Sequence, residues 1–377
     1  MWRVGWLVLA SCGRIGFAEL SVADAVIDTS ETAQGFSQLE AHADQTCALY
    51  AGSAYCWGSN GASQIGDGTT MDAVVPTRVA LPGIPTAITQ GETHACAIVD
   101  GDAYCWGSVT DPIPTLITTP APVTDISAGG SFTCLLADVV RCWGVNDVGQ
   151  CGTGNMAPPA QPTPVAFAMA YPATSIDVGN DHGCADASDR APQCWGHNDF
   201  GSMGTGSTTP AAVLVPGDVI GGVTTQPRIA GWHACALDAG TVWCWGEGQM
   251  GELGNGLQAN SATPVLVAGL TNVTAVQVGG GPVDHDASCA IADGAVFCWG
   301  RGENGRLGNA MTTSMSTPVA VLGLPAAATS LGLGFGHACA LLVDGDIWCW
   351  GRGDRGQLGD GNQASSLTPV KVVRPAS

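Results

Sequence analysis

Apolar positions along this chain fall in short runs broken by glycine and turn residues, and the arrangement recurs seven times. Each recurrence holds a cysteine followed eight to ten residues later by a second cysteine directly before Trp-Gly. The pairs are Cys47 with Cys56, Cys96 with Cys105, Cys134 with Cys142, Cys184 with Cys194, Cys235 with Cys244, Cys289 with Cys298 and Cys339 with Cys349. The tryptophans, Trp57, Trp106, Trp143, Trp195, Trp245, Trp299 and Trp350, are mostly 49 to 54 residues apart. A period of that size denotes stacked supersecondary units, none able to bury its apolar face alone.

Within a unit, residues 94–107 read HACAIVDGDAYCWG. Two runs of strand-forming residues flank Asp100-Gly101, a strong hairpin signal because a type I′ turn needs positive φ at both central positions. A two-residue loop there sets Cys96 opposite Cys105. Counting from the turn, that is a non-hydrogen-bonded pair with Cα atoms about 4.5 Å apart, within reach of a disulfide. The same count works around Ala51-Gly52, Ala239-Gly240 and Asp293-Gly294. In the seventh unit a three-residue loop, 343–345, still sets Cys339 opposite Cys349. The third and fourth units need odd-length loops centred on Asp138 and Asp189. One cross-strand disulfide per hairpin is therefore expected.

Two more apolar segments complete the unit. One precedes the hairpin (Val276-Gln-Val-Gly-Gly280, Ile126-Ser-Ala-Gly-Gly130). The other follows a glycine-punctuated stretch, at Thr263-Pro-Val265, Thr317-Pro-Val319 and Thr368-Pro-Val370. About four strands per unit is the composition of a propeller blade, and seven blades close into a ring without long free edges. The sequence leaves open which strand seals it.

The glycine-punctuated stretch carries a family resemblance. It reads NGASQIGDG at 60–68 and GDRGQLGDG at 353–361, with variants at 146–154, 198–206, 248–256 and 302–309. With the preceding His-x-Cys-Ala-Leu and Trp-Gly, the chain resembles the regulator of chromosome condensation family over roughly residues 37–373. The resemblance implies an all-β, seven-bladed propeller. Unit two departs from it: only 37 residues separate Trp106 from Trp143, and the Gly-Gln-Leu-Gly element is missing. One rim should be lower there, opening a notch.

At 377 residues the chain is long enough for one large core, and the repeats leave no room for a second domain. Only 12% of residues are charged, 32 acids against 12 bases, and Lys371 is the single lysine. A net charge of −20 disfavours nucleic acid and anionic lipid as partners. Fourteen paired cysteines imply an oxidising compartment. Metal-binding thiolates are the rival reading, but the spacing is that of hairpins and the pairs sit in separate blades.

Two cysteines lie outside the scheme. Cys151 takes the place of Leu358 in the glycine-rich stretch and reads as a small buried thiol. Cys12 follows one basic residue, an apolar run and Leu9-Ala10-Ser11, and this resembles a bacterial lipoprotein signal in which the cysteine is lipidated. Cleavage after Ala18 is the alternative. Residues 1–18 thus read as a signal-like segment, 19–36 as an acidic tether and 37–377 as the propeller. The expected location is secreted or cell-envelope.

Histidines stand two residues before the first cysteine at His94, His182, His233 and His337, with Gln45, Phe132 and Ala287 at that place elsewhere. Repetition by blade favours a buried hydrogen bond to backbone over a metal ring. The Trp-Gly tryptophans read as inter-blade core, each on the opposite strand face from its cysteine neighbour. Tyr55, Tyr104, Trp243, Phe297 and Trp348 share one aromatic packing position. Trp232 has no counterpart and is a candidate anchor for a partner. Unit six carries an insertion with Asp284, His285 and Asp286, read as a solvated loop over a cation site. The loops at Asp67-Gly68, Asn146-Asp147, Asn198-Asp199 and Asp360-Gly361 lack the density of a calcium loop and follow turn chemistry.

No Gly-x-Ser-x-Gly, phosphate loop or His-Glu-x-x-His is present. Paired acids for glycoside hydrolysis could converge only in the central channel, from different blades. The chain is therefore expected to be a monomeric, non-catalytic, exported scaffold, with no cofactor or metal and no nucleic-acid partner. It should bind an extracellular or cell-surface protein or glycan through loops on one face. Contact candidates are the residues that break the repeat: Trp232, Asp284, His285, Asp286, and Ser108 and Asp111 in the shortened loop 108–114. The resemblance also implies rival roles. Some secreted bacterial members resembling this architecture inhibit β-lactamase, and the eukaryotic founders act as guanine-nucleotide exchange factors on chromatin.

Overall fold

The structure, a computed structural model, describes residues 35–108, 111–157, 164–166, 169–187, 190–225, 227–281 and 286–375. Cys12, the signal-like segment, tether residues 19–34, Asp189, Asp284 and His285 lie outside them. The described residues form a seven-bladed propeller in which every blade is a four-stranded antiparallel meander of consecutive strands. Blade I comprises Phe36–His42, Gln45–Tyr50, Ser53–Gly58 and Ala73–Arg78, from the axis outward. Blades II to VII begin at residues 85, 125, 175, 228, 273 and 328.

Turn chemistry sets the hairpins. Ala51, Asp100, Ala239 and Asp293 have φ of 47–53° and each is followed by a glycine at 75–84°, the two positive values that a type I′ turn requires. That register places each cysteine opposite its partner. From blade I to blade III the bridges join Cys47 to Cys56, Cys96 to Cys105 and Cys134 to Cys142. From blade IV to blade VII they join Cys184 to Cys194, Cys235 to Cys244, Cys289 to Cys298 and Cys339 to Cys349. All seven span Cα distances of 4.0–4.1 Å, whatever the loop length. In blade III the odd loop centres on Asp138, with Ala137 N–H donating to Val139 O, and Cys134 still faces Cys142. In blade IV Cys184 faces Cys194 in the same way. In blade VII, Gly345 N–H donates to Leu342 O around the loop 343–345.

The glycine of each Trp-Gly step answers to two constraints. Gly58 has φ +104°, a region closed to most side chains, and a Cβ there would lie 2.4 Å from Asp44 O. In five blades the pairing to the outer strand also shifts between the second cysteine and this glycine, as between Cys56 and Gly58 in blade I. The tryptophan sits in that bulge.

Within a blade the disulfide and the indole point to opposite faces, as strand alternation requires, and they meet across the junction. The Cys47–Cys56 bridge of blade I packs with Trp106 of blade II, and Cys134–Cys142 of blade III with Trp195 of blade IV. The Cys184–Cys194 bridge of blade IV packs in turn with Trp245 of blade V. The same holds for Cys235–Cys244 with Trp299 and for Cys289–Cys298 with Trp350. The ring closes in this way too: Cys339 and Cys349 of blade VII pack with Phe36, Leu39 and Trp57 of blade I. Among the described residues no strand crosses between these two blades. Phe36 N–H donates to Gly345 O at 2.9 Å, so side-chain packing and a main-chain contact seal the ring. Cys151 is fully buried, with its thiol pushed up to about 12 by burial. It is an inert core group in the place held by Ile65, Met203, Leu253, Leu307 and Leu358.

Candidate functional site

In each meander, the turn between the first and second strands and the loop between the third and fourth lie on one face, here called the loop face. The repeated histidines sit just beneath it, and three of the four bond not to backbone but to a side-chain hydroxyl of the next blade. His337 Nε2 lies 2.8 Å from Thr46 Oγ1, His94 Nε2 2.7 Å from Thr133 Oγ1 and His233 Nε2 2.8 Å from Ser288 Oγ. Thr46 and Ser288 donate their single proton onward, to Gln357 O and Glu252 O. The imidazole must therefore supply the other hydrogen, from Nε2. His182 faces Ala234, which has no hydroxyl, and its Nδ1 lies 3.5 Å from Asp181 instead. Burial lowers His94 and His337 to about 3, with His42 adding to the first and Arg306 and Arg352 to the second. Both stay neutral.

The blade V–VI junction adds a carboxylate. Asp286 Oδ2 lies 3.1 Å from His233 Nδ1 and accepts the Trp232 N–H at 3.0 Å. Asp286, His233 and Ser288 thus line up as a Ser–His–Asp relay does. Yet His233 and Ser288 are 0% exposed, and the serine proton is committed to Glu252 O. The serine is out of reach of any substrate. Burial disfavours protonated His233, but the hydrogen bond and charge of Asp286, with Glu252 and Glu247, outweigh it and raise its pKa. Asp286, expected in a solvated contact loop, is 1% exposed and serves as the buried partner of His233.

Trp232 is half-buried on the loop face. Its ring lies 5.0 Å from Phe200 of blade IV at 32°, and His197 approaches both rings at 6.5 Å. His197 is held between carboxylates, with Asp181 3.4 Å from Nδ1 and Asp199 3.0 Å from Nε2. Sequence reasoning found Trp232 but missed Phe200 and His197. The signal was available: at the place of Phe200 the other loops carry Ala62, Val148, Met250, Asn304 and Arg355, none of them aromatic. Ser108 and Asp111 are exposed on the same face but in blade II, well away from Trp232. Ser108 Oγ bonds Thr93 Oγ1, and Asp111 accepts from Thr115 Oγ1 and, through its carbonyl, from Gly107 N–H.

The innermost strands line the axis. A cavity of about 40 Å³ there is bounded by Glu40, His42, Gln90, Ser127, Asp177 and Gln277, among others. Burial pushes Glu40 up to about 7, partly offset by Arg228, with Asp177 and Asp125 adding to the rise. Asp177 rises to about 6, again chiefly through burial. These acids stitch blades together: Asp177 accepts Ile229 N–H at 2.8 Å and Asp125 accepts Ile176 N–H at 2.9 Å. The cavity has room for water only and is far below the roughly 300–1,000 Å³ of small-molecule sites. No sugar ring fits between these carboxylates. On the opposite face, a hollow of about 540 Å³ lies between the blade III hairpin tip and residues 169–174. Its one ionisable lining group among acids and bases, Asp138, is paired with Arg141 at 3.0 Å. Among the described residues no three ligating side chains cluster as a metal site would require.

Glu40 gives a pH prediction. Its folded value, about 7, exceeds the ordinary 4.5, so the folded chain binds the proton more tightly and stability falls as pH rises from 4.5 to 7. Glu40→Gln should therefore raise stability by about 1–2 kcal/mol at pH 8 and change it little at pH 4. That is less than the full shift implies, because the carboxylate is only partly withdrawn from solvent. Urea titrations at the two pH values check this.

The repeat of the regulator of chromosome condensation family matches residues 51–98, 140–185, 239–282, 293–341 and 344–377, and a second form of it matches 328–357. The ultraviolet-B receptor UVR8 of Arabidopsis thaliana is 29% identical over 259 residues, covering 67% of this chain and 58% of that protein. The human E3 ubiquitin-protein ligase HERC2 is 27% identical over 256 residues, 66% of this chain but 5% of that protein. Among solved structures, human WBSCR16 superposes with a TM-score of 0.75 at 19% identity, covering 86% of this chain and 96% of that one. Prp20p of Saccharomyces cerevisiae gives 0.71 at 18% identity, covering 79% and 80%. At such identities these two likenesses establish the fold alone. With repeats matched over more than half its length, the chain belongs to the regulator of chromosome condensation (RCC1) repeat family.

Proposed function

We propose that this chain is a non-catalytic, exported binding module that holds a basic segment of a protein partner against the loop face of blades IV and V. The observation that carries this reading is the Trp232–Phe200–His197 cluster flanked by Asp181 and Asp199. Aromatic faces beside carboxylates attract guanidinium and ammonium groups, and half-buried tryptophan is a frequent energetic anchor at interfaces. A net charge of −20 steers cationic partners toward the molecule. Seven disulfides favour an oxidising compartment, which supports export. The burial of the Ser288–His233–Asp286 relay and the small size of the axial cavity favour a binding role over catalysis.

Immobilised protein should retain Arg- and Lys-containing peptides over acidic or neutral ones of equal length, with affinity falling as salt rises. Trp232→Ala and Phe200→Ala should each weaken retention at least tenfold while leaving the unfolding transition in place. Equal retention of neutral peptides or glycans, or indifference to both substitutions, would remove the reading. Non-reducing peptide mapping of protein recovered from its host tests export. Seven hairpin-local bridges with a lipidated Cys12 or a start near Glu19 support it, and free thiols oppose it.

A further inference from the structure

In three blades a base stands directly after Trp-Gly, with an acid two residues further on. In blades VI and VII the base is arginine, which stays charged: Arg301 lies 3.1 Å from Glu303 and Arg352 2.7 Å from Asp354. In blade IV it is histidine, the side chain whose charge changes near neutral pH, and His197 Nε2 lies 3.0 Å from Asp199 Oδ2. A second carboxylate meets the other ring nitrogen, Asp181 Oδ2 lying 3.4 Å from Nδ1. The His197 side chain is 14% exposed, and those of Asp181 and Asp199 are 27% and 53% exposed, so protons and solutes reach all three.

A neutral imidazole carries one N–H and can donate to only one of the two acids. The shorter contact takes it, and Nδ1, which makes no hydrogen bond, turns its lone pair toward Asp181. Protonation supplies the second donor, and both carboxylates then close on the ring as charge-assisted partners. The same step puts a positive charge on a ring 6.5 Å from those of Phe200 and Trp232. Of the other titratable groups on the elements around it, His182 is fully buried and lies 3.5 Å from the remaining oxygen of Asp181. Asp147 of the blade III loop accepts from Gln150, while Asp286 and Glu247 of blade V act on His233. Trp232, Phe200 and the strand neighbour Ala212 are uncharged.

We propose that His197 is an acid-operated release switch, which lets the Trp232 cluster hold a basic segment while the ring is neutral and expels it once the ring is protonated. This rests on the reading of that cluster as the site for a basic segment. The sign follows from competition: the proton on His197 and the partner's cation draw on the same two carboxylates. Binding therefore favours the neutral ring, and by the same linkage acid favours the free protein. The arginines of blades VI and VII hold their acids at any pH, so the switch belongs to blade IV alone.

The test titrates the full chain with hexa-arginine, whose own charge is constant, by calorimetry at pH 8 and pH 5.5, counting the binding that Trp232→Ala removes. Affinity should fall at least fivefold on acidification. In His197→Gln, which cannot take up the charge, the ratio between the two pH values should shrink to less than twofold. Glu40, Asp177 and His233 also titrate, at about 7, about 6 and above the ordinary 6.5, but the variant retains them all. An NMR titration of the His197 imidazole gives a second readout that needs no variant. Saturating hexa-arginine should move its protonation to lower pH by the logarithm of the same factor. Equal affinity at the two pH values overturns the proposal and leaves the binding reading standing. So does an acid loss that persists in His197→Gln, or an imidazole titration that the peptide does not move. Absence of Trp232-dependent binding at pH 8 overturns both the switch and the reading beneath it.

Discussion

Trp299→Ala should destabilise the propeller by about 3–5 kcal/mol, the range for truncating a fully buried aromatic side chain. Trp299 is 0% exposed and packs with the Cys235–Cys244 bridge, Leu253, Val276 and Val278. Its indole also bonds Glu252 O at 2.7 Å, an acceptor shared with Ser288. Alanine removes the packing of two blades at once and leaves a cavity that the rigid disulfide beside it cannot fill. Trp143→Ala provides the internal control. It loses comparable packing with Cys96, Cys105 and Leu135 but no hydrogen bond, so its loss should be smaller by about 1 kcal/mol. Urea titrations of both variants, with the slope checked for two-state behaviour, measure the difference. Equal losses would mean that the indole bond contributes nothing to the junction.

The second large effect concerns the disulfides. Cys289→Ala combined with Cys298→Ala should cost about 2–3 kcal/mol, the loop-entropy value for a short closed loop, plus lost packing against Trp350. Every bridge cysteine is 0% exposed, so reductant reaches the sulfurs only when a blade opens. Dithiothreitol should therefore reduce the native protein at its unfolding rate, and reduction should speed up in step with urea. Once the bridges are lost the seven junctions weaken together, since each bridge is half of the core into which the next blade's tryptophan packs. Rapid reduction of the folded protein, or a reduced protein of unchanged stability, would show that these bridges do not hold the blades together.

Much of the fold is local in origin and was readable for that reason. Asp100-Gly101 and its counterparts specify a type I′ turn, the turn fixes the register, and the register fixes which cysteines face each other. Cys151 could be placed because it occupies a leucine position in a repeated loop. The candidate site was less legible. Trp232 stood out as a break in the repeat, but its partner Phe200 lies in another blade, and only the fold sets the two rings together. Asp286 looked like part of a polar surface loop, and only the position of His233 shows that its carboxylate turns inward.

The sequence by itself determined the number of blades, the strand pairing within each, the disulfide connectivity and the missing element of unit two. All of these depend on residues within a few tens of positions, where turn geometry and the two-residue strand period act directly. The tertiary structure alone decided how one blade meets the next. It showed that imidazoles bond to neighbouring hydroxyls and that, among the described residues, the ring closes without exchanging a strand. The imidazole contacts join residues from 39 to 291 positions apart. Only the packing of one blade on the next brings such residues together, and no local pattern in the chain encodes which side chain will stand opposite.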